Sequence, residues 1–410
     1  MSAAAEVPFK VSVQEEELEL LRKKLELTRF PDELDEAEWE YGVPLADLRR
    51  LVARWKDGFD WRKSEAEINA LPQFTRDIEV EGFGTLNIHY VHQKSDVENA
   101  VPLLFVHGWP GHFLEVRKLL PLLTNGPAEQ PSFHVVALSL PGFGFSEAPR
   151  KKGFASKQYA EVANKLMLSL GYDKYVVQGG DWGHYIAGYV ATHYAHKHMV
   201  GWLSNYPLAP PPTFRKFPRL YVQHLVTPYS AREKQGLERM RDFRSKGSGY
   251  SNEQATRPQT LGYSLADSPA GLLAWIYEKL VSWTDGYRWE DDEVLEWVSV
   301  YWFSRAGPAA SLRIYKENTD GLEKMADEDV EWTSIPLGYA YFPKEINQVP
   351  RVWLRTLGRV VFESEHEHGG HFAAHEHPEE LADDIRRMFG KGGPGYGVVP
   401  GRTGYAAGHA

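Results

Sequence analysis

The segment from Tyr175 to Gly188 carries the residue best suited to covalent chemistry. Its centre reads Gly-x-Asp-x-Gly, with Gly179, Asp181 and Gly183 between a short apolar run and a helical pattern. This spacing is typical of a nucleophile elbow, a sharp strand-to-helix turn that lifts one side chain above the end of a parallel sheet. Because the apex residue is Asp and not Ser, the expected chemistry is displacement at a saturated carbon, which forms an alkyl ester. The alternative is that Asp181 only caps the following helix.

A second motif reads His-Gly-Trp-Pro from His107 to Pro110, directly after a strongly apolar run. In α/β-hydrolases, the loop at this point and the residue after the nucleophile each supply a backbone N–H to an oxyanion hole. The predicted donors are therefore the N–H groups of Trp109 and Trp182. His107, Gly108 and Pro110 would form the loop beside the substrate. The alternative is an ordinary turn at the end of a strand, which could have the same sequence.

Histidines crowd into the segment between Glu365 and His377. His371 follows two glycines beyond the last apolar run, which suits a catalytic base in the chain order nucleophile, acid, histidine. The spacing of His371 and His375 would also place two imidazoles on one helical face, so a zinc site is the alternative. The sequence spells no third zinc ligand, and we expect no metal.

The acid that orients this histidine should leave the end of the preceding strand. Glu345, in Tyr341-Phe-Pro-Lys-Glu, is in that position. A carboxylate there would fix the imidazole tautomer and stabilise imidazolium. A surface Glu in a polar loop would have the same spelling. The competitors Glu363 and Glu365 lie too close to His371 in sequence to come from a separate strand end.

The elements that must position these residues alternate between apolar runs and helical patterns. Alternation from Ile78 to Val91 predicts two antiparallel strands that turn at Gly82-Phe-Gly84. Strands and helices that alternate beyond this point predict a parallel sheet with helices on both faces. The predicted strands are Val101–Gly108, Phe133–Leu140, Tyr175–Gly179, Met199–Tyr206, Ile335–Tyr341 and Val360–Phe362, and the predicted helices include Phe113–Leu123 and Gln158–Leu170.

The chain between Pro207 and about Thr333 is too long for a loop. Its helical patterns, Leu272–Trp283 and Val294–Phe303, predict an inserted cap. Near the N-terminus, Ser12-Val-Gln-Glu15 spells a capping box that opens a helical wrap. We therefore divide the chain into an N-terminal wrap (1–95), an α/β core (96–212 and 333–390), a helical cap (213–332) and a Gly-rich tail (391–410) that is either flexible or draped.

The composition limits the partners, the cysteine chemistry and the location that this protein can have. The chain has 410 residues, a formal net charge of −10 and no cysteine. The acidic balance argues against nucleic acid as a partner. The lack of cysteine excludes disulfides, thiolate metal sites and a cysteine nucleophile. The N-terminal residues lack the apolar core of a signal peptide, and the sequence contains no apolar run long enough to cross a bilayer. We therefore expect a soluble, cytoplasmic protein without a membrane anchor.

Together these motifs resemble those of the microsomal-type epoxide hydrolases, particularly the soluble members that lack the membrane anchor. The resemblance covers nearly the whole chain and implies an α/β-hydrolase fold with a helical cap. The segments that carry it are Arg29-Phe-Pro-Asp32, His107-Gly-Trp-Pro-Gly111, Gly179-Gly-Asp-Trp-Gly183, Thr256-Arg-Pro258, Leu273-Ala-Trp-Ile276, Phe342-Pro-Lys-Glu345 and Gly369-Gly-His-Phe-Ala373.

The resemblance implies Asp181 as nucleophile, His371 as base and Glu345 as acid. It also implies two cap tyrosines that donate hydrogen bonds to the epoxide oxygen, and by position these look like Tyr250 and Tyr315. A phenol with a pKa of about 10 can stabilise a developing alkoxide while it stays neutral at pH 7. The chain has 21 tyrosines, so residue types and spacing alone would not select these two.

The resulting hypothesis is an epoxide hydrolase that converts a small-molecule epoxide and water to a vicinal diol, without a cofactor, in detoxification or aromatic hydrocarbon catabolism. A homodimer stays open. The first alternative is a haloalkane or haloacid dehalogenase, which shares the Asp nucleophile but needs halide donors in place of the tyrosines. The second is a non-catalytic ligand-binding scaffold, which would typically have lost part of the triad.

Overall fold

The computed structural model describes residues 6–318 and 331–406. The strands are β1 Val7–Pro8, β2 Gln73–Val80, β3 Gly84–Gln93, β4 Val101–Val106, β5 Phe133–Leu138, β6 Tyr175–Gly179, β7 Met199–Ser204, β8 Thr333–Tyr341 and β9 Gly358–Glu365. These described strands form one sheet in the order β1-β2-β3-β5-β4-β6-β7-β8-β9.

The sheet is antiparallel at one edge and parallel through the rest. Strands β1, β2, β3 and β5 pair antiparallel, whereas β5, β4, β6, β7, β8 and β9 pair parallel. Every residue of β4, β5 and β6 is buried, as expected where helices cover both faces of a parallel sheet. The predicted α/β-hydrolase architecture is confirmed, and the carboxyl ends of the parallel strands lie at one common edge.

Helices cover the faces of this sheet and form the cap. The N-terminal helices are α1 Glu15–Glu26, α2 Leu45–Asp57 and α3 Trp61–Ile68, and those between the core strands are α4 Leu119–Thr124, α5 Ser156–Ser169 and α6 Trp182–Tyr194. The inserted helices are α7 Pro218–Val226, α8 Ala231–Asp242, α9 Gly249–Thr256, α10 Pro258–Asp267, α11 Pro269–Ser282 and α12 Asp291–Trp302. Residues 313–318 are also helical. The C-terminal helices are α13 Arg351–Leu354, α14 Ala373–Glu376 and α15 Pro378–Phe389.

In its described part, the inserted segment carries helices α7 to α12 and the helical residues 313–318, joined by turns and loops. Its α11 and α12 pack on the N-terminal helices α1 and α2. Arg54 of α2 pairs with Asp292 of α12 at 2.8 Å, and Arg50 pairs with Asp291. The N-terminal helices therefore support the cap. The limits of the cap at 213 and 332 stay a prediction, and residues 319–330 lie outside the described residues.

Two local predictions are wrong. Helix α1 begins at Glu15 after Gln14, so Ser12 does not open a capping box; the neighbouring backbone is held instead by side chains, with Val13 N–H donating to Glu65. The helix predicted from Phe113 to Leu123 is split into a 3₁₀ turn, Phe113–Val116, and the short α4. In both places tertiary contacts override the local pattern.

The Gly-rich C-terminal segment packs onto the core as far as residue 406. Val399 and Tyr405 are buried. The Gly404 carbonyl accepts a hydrogen bond from the Ser132 N–H at 2.8 Å, and the Gly404 N–H donates to the Asn99 carbonyl at 2.8 Å. Of the two alternatives left open by its composition, the described part of the tail is draped.

Across residues 6–318 and 331–406, none of the helices combines the length and the apolar character that a bilayer crossing requires.

Candidate active site

Asp181 lies at the turn between β6 and α6. Its backbone has φ 49° and ψ −126°, in the positive-φ half of the map that non-glycine residues rarely occupy. The helix that follows approaches β4 closely, because a Cβ on Gly183 would lie 1.9 Å from the Val106 carbonyl oxygen. The turn is thus the strained strand-to-helix elbow that the motif predicts.

The Asp181 carboxylate faces the loop after β4. Its Oδ1 accepts a hydrogen bond from the Trp109 N–H at 2.8 Å, and among the described residues of α6 its side chain finds no capping partner. A Cβ on Gly108 would lie 2.2 Å from the same oxygen, so the loop can approach Asp181 only because residue 108 lacks a side chain. The capping alternative for Asp181 is therefore wrong.

His371 lies between two carboxylates. Its Nδ1 is 2.9 and 3.1 Å from the two oxygens of Glu345, and its Nε2 is 3.5 Å from Asp181 Oδ2. Glu345 follows β8 and His371 follows β9, so the ends of three parallel strands bring this triad together. The backbone N–H of His371 donates to the Trp283 backbone carbonyl at 2.8 Å, and this hydrogen bond connects the loop to the cap.

The charges around His371 favour its protonated form. Burial lowers the pKa of His371, but the Glu345 carboxylate and the hydrogen bond with Asp181 raise it more, so the pKa lies well above its ordinary value. In the free protein the imidazole is therefore held as a cation between two anions. Removing the negative charge of Asp181 would therefore lower the pKa of His371.

The loop from His107 to Pro110 is braced on both sides. His107 donates from Nδ1 to the Gly108 carbonyl at 2.9 Å and accepts the Leu140 N–H at Nε2 at 3.2 Å. Burial lowers the pKa of His107 to about 4, so it is neutral at pH 7. The Pro110 carbonyl accepts from Trp297 Nε1 in the cap at 2.7 Å. His107 and Pro110 therefore position the loop, and the Trp109 N–H is the group that meets Asp181.

Tyr250 and Tyr315 enter the site from the cap, and both are buried. Their ring centroids are 5.8 Å apart. The Trp109 ring stacks on Tyr250 at 5.2 Å and meets Tyr315 edge-on at 5.8 Å. Trp182, the residue after Asp181, packs edge-on against Tyr315 at 4.9 Å. Both predicted tyrosines and both predicted tryptophans thus lie in one aromatic cluster above Asp181.

Both cap phenols stay neutral at pH 7. Burial raises the pKa of Tyr250 well above its ordinary value, and the charge of Asp181 adds to this effect. Burial likewise raises the pKa of Tyr315, with contributions from Tyr250 and Asp181. Each phenol can therefore donate a hydrogen bond without ionising.

The other candidate acids and histidines have partners of their own. Glu363 accepts from the Tyr341 hydroxyl at 2.7 Å, and Glu365 pairs with Arg232 at 2.6 Å. The remaining histidines also face carboxylates: His375 with Glu293 at 2.7 Å, His366 with Asp384 at 2.6 Å, His377 with Glu380 at 3.2 Å and His368 with Asp285 at 3.8 Å. In the described part of the chain, no group of three or more acidic or histidine side chains is arranged to hold a metal.

Sequence reasoning missed several residues of the site. The Trp283 ring lies 5.0 Å from His371 and 5.1 Å from Tyr250. Phe372 and Glu115 line the same cavity as Asp181 and His371. The chain has 13 tryptophans, so nothing distinguished Trp283. Glu115 did carry a signal, because it is a lone acid within the apolar spelling Phe113-Leu-Glu-Val.

Comparison with known proteins agrees with this geometry. Residues 6–116 match the family described as Epoxide hydrolase N terminus, and residues 101–269 match the alpha/beta hydrolase fold. Epoxide hydrolase 1 of Sus scrofa is 36% identical over 93% of this chain and 88% of its own length.

Two solved structures share nearly the full fold. The Aspergillus niger epoxide hydrolase is 35% identical, with a TM-score of 0.80 over 93% of this chain and 95% of that chain. The juvenile hormone epoxide hydrolase of the silkworm Bombyx mori is 30% identical, with a TM-score of 0.82 over 93% of each chain. With its elbow, its cap and this full-length similarity, the chain belongs to the microsomal-type epoxide hydrolases, enzymes of the α/β-hydrolase fold.

Proposed function

We propose that this epoxide hydrolase forms its diol through a covalent alkyl ester on Asp181, which water activated by His371 then hydrolyses. The observation that carries the proposal is the placement of His371 between Asp181, 3.5 Å from Nε2, and Glu345, 2.9 Å from Nδ1. Two neutral phenols, Tyr250 and Tyr315, pack on the ring of Trp109, whose N–H meets Asp181, and the proposed nucleophile, base and oxygen donors thus share one buried site.

In the first step, an Asp181 oxygen attacks an epoxide carbon from the back side as the ring C–O bond breaks. The ring oxygen gains negative charge, and Tyr250 and Tyr315 donate hydrogen bonds to it and supply the proton. The Trp109 N–H, 2.8 Å from Oδ1, holds the carboxylate in one orientation. This fixed orientation lowers the entropic cost of the attack.

In the second step, ester formation changes the electrostatics of His371. The esterified Asp181 has lost its charge, and one of the anions that raises the pKa of His371 is then gone. The imidazolium returns a proton to the tyrosine that protonated the ring oxygen, and the neutral imidazole then acts as a base toward water, while Glu345 holds Nδ1. Water attacks the ester carbonyl, and the N–H groups of Trp109 and Trp182 stabilise the oxyanion. Collapse of this adduct releases the diol and restores Asp181.

Oxygen labelling tests the nucleophile directly. Excess enzyme that reacts once in heavy-oxygen water should release largely unlabelled diol and place the label in the peptide that contains Asp181. If water instead attacked the epoxide directly, the first diol would be labelled and Asp181 would not. That result would make Asp181 a general base.

A His371→Gln variant tests the order of the two steps. Ring opening should proceed and hydrolysis should stall, so the intact protein should gain the mass of one substrate. Wild-type protein under the same conditions serves as the control, because its ester turns over. Failure of His371→Gln to accumulate an adduct, with ring opening intact, would contradict the assigned base.

We further propose an apolar, uncharged epoxide as substrate, with detoxification or aromatic hydrocarbon catabolism as its role. The support is the lining of the site, where Trp109, Trp182, Trp283 and Phe372 surround the catalytic groups. Turnover of aryl and alkyl epoxides should exceed that of charged epoxides of equal size. Comparable turnover of the charged compounds would contradict the proposal. A cytoplasmic location and a homodimer stay predictions.

A further inference from the structure

Glu115 is a buried carboxyl group that the two steps above do not use. It lies in the 3₁₀ turn after the His107–Gly111 loop, is 9% exposed, and lines the cavity that Asp181 and His371 also line. Its carboxyl group packs directly on Gly111, where a Cβ would lie 1.7 Å from Glu115 Oε1. The backbone of the loop and the side chain of Glu115 are therefore fitted to each other.

The charges that face Glu115 are those of the catalytic groups. Burial raises the pKa of Glu115 to about 8; the charge of Asp181 acts in the same direction, while His371 and a hydrogen bond from the His112 backbone oppose it. Tyr301, whose hydroxyl donates to the Gly111 carbonyl at 2.6 Å, also lies within its field. Among the described residues, no ion pair joins Glu115 to a cation, and a carboxyl group buried in this way needs an explanation.

The cavity itself indicates what Glu115 meets. The volume open to the centre of a water molecule is about 20 Å³, which holds about one water. Besides backbone and apolar side chains, its walls carry the ionisable groups Asp181, His107, His371 and Glu115 and the side-chain amides of Gln178 and Asn205. A water there needs two or more polar partners to stay ordered. The base takes one hydrogen of that water, and a second acceptor must orient the other.

Resting on the proposed ester mechanism, we infer that Glu115 is a positioning residue that holds the hydrolytic water between itself and His371. One O–H of the water points to His371 Nε2 and the other to a carboxyl oxygen of Glu115, so that an oxygen lone pair faces the ester carbonyl of Asp181. As the new C–O bond forms, the first proton passes to Nε2. The ester C–O bond then breaks, and His371 returns that proton to the diol oxygen. The second proton of the water is left on the Asp181 carboxyl group and passes to His371, which restores the carboxylate and the imidazolium. Glu115 gains and loses nothing.

This role predicts an effect on one step only. Glu115→Met removes the acceptor at nearly constant volume, and Glu115→Gln keeps a carbonyl acceptor in the same place. Rapid-quench mass spectrometry with one apolar epoxide should show wild-type ester formation in both variants. Ester hydrolysis should slow by about 100-fold in the Met variant, the size expected for a displaced reactant. The Gln variant should recover most of the wild-type rate.

The outcomes separate this inference from the mechanism on which it rests. If wild-type and His371→Gln proteins form no ester, the proposed mechanism itself fails. If they form the ester and Glu115→Met hydrolyses it at the wild-type rate, only the role of Glu115 is overturned. Equal slowing of both steps would also overturn it, because a loosened loop would displace Asp181 and the water alike.

A matched control uses a buried carboxyl group away from the cavity. Glu296 on α12 is largely buried, and burial raises its pKa, but it pairs with Arg117 at 2.7 Å. Glu296→Leu should leave the ratio of the two rates unchanged. Thermal unfolding should show that Glu115→Met folds, since removing an acid whose pKa is raised by burial relieves a desolvation cost. If the Met variant does not fold, Glu115→Ala supplies the same comparison.

Discussion

The two halves of the active site are held by different means. On the core side, Asp181, Glu345 and His371 each follow a strand of the parallel sheet, and backbone hydrogen bonds between the strands fix their spacing. On the cap side, Tyr250 and Tyr315 stand on inserted helical segments, and ring contacts with Trp109, Trp182 and Trp283 fix their position.

This difference separates rigidity from adaptability within one site. A strand end can move only if the ladder beside it moves, so the core half keeps Asp181 and His371 in one geometry. Contacts between aromatic rings do not fix a register in the way that strand pairing does. The cap can therefore change shape when its side chains are substituted and repack. We therefore expect changes in the core half to abolish turnover, and changes in the cap half to modulate ring opening and substrate range.

The largest expected effect is on the core side. Asp181→Ala removes the attacking oxygen, and turnover should fall by roughly 10⁴-fold or more, as when a catalytic nucleophile is deleted. Diol formation by chromatography measures the loss, and thermal unfolding should show a folded protein. Residual turnover within tenfold of wild type would mean that the core half does not supply the nucleophile.

A smaller effect is expected on the cap side. Tyr250→Phe and Tyr315→Phe each remove one donor to the developing alkoxide, and ring opening should slow by roughly 10- to 1,000-fold, by analogy with single oxyanion donors. Single-turnover ester formation measures this rate. Tyr277→Phe, another cap tyrosine that packs against Trp39, is the control and should match wild type. Wild-type ring opening in both site variants would mean that other residues hold the epoxide oxygen.

The core half should also make the free energy of unfolding depend on pH through His371. The pKa of His371 is raised in the folded protein, whereas an unfolded imidazole has a pKa of about 6.5. Its contribution to stability is therefore complete below about pH 6.5 and is lost as pH rises through the folded pKa. The unfolding free energy of wild type minus that of His371→Gln should decrease in denaturant titrations as the pH rises above about 6.5 toward the folded pKa.

Glu115 and Glu376, whose pKa values are raised to about 8 and about 7, are present in both proteins and largely cancel in this difference. A difference that grew with pH would mean that His371 is neutral in the free protein. The electrostatic change proposed for ester formation would then have no basis.

The smallest effect should come from Lys279, which lies in the cap behind Tyr250. It is 3% exposed, and its Nζ lies 4.9 Å from the centroid of the Tyr250 ring. A cation over the phenol ring stabilises the negative charge that develops on the epoxide oxygen, to which the Tyr250 hydroxyl donates a hydrogen bond. Removing it with Lys279→Met should slow ring opening by about 2- to 5-fold, the size of a modest cation–π contribution. Ester hydrolysis should not change, and slower hydrolysis would show that Lys279 supports the core half instead.

The same division explains what could be predicted from sequence. Asp181, Glu345 and His371 follow apolar runs, and strand ends in a parallel sheet meet at one edge, so their convergence followed from spacing. Tyr250 and Tyr315 came only from the family resemblance, because a helical insertion has no comparable rule. Their catalytic roles stay predictions. The loop from His107 to Pro110 does meet Asp181, its oxyanion role stays a prediction, and the cap contacts of Pro110 had no sequence signal.

The failures have a common physical cause. The segment expected as one helix from Phe113 to Leu123 begins instead as a 3₁₀ turn, in which the Glu115 carboxyl packs on Gly111, a contact that periodicity does not encode. Ser12 does not cap α1, because Val11 and Val13 are bound to side chains 58 and 52 residues away. In each place a contact distant in sequence, or a fitted side chain, determines the backbone.

The draped C-terminal segment has a practical consequence for attaching this enzyme to a surface. Gly404 is bonded to Asn99 and Ser132, the residues just before β4 and β5, whereas Asp181 and the oxyanion loop lie beyond the opposite ends of the sheet. A six-residue strand separates the two edges by roughly 20 Å. An immobilisation handle that extends from this segment would leave from the edge opposite the catalytic groups. The bead or electrode would then hold the enzyme with its reactive edge turned outward.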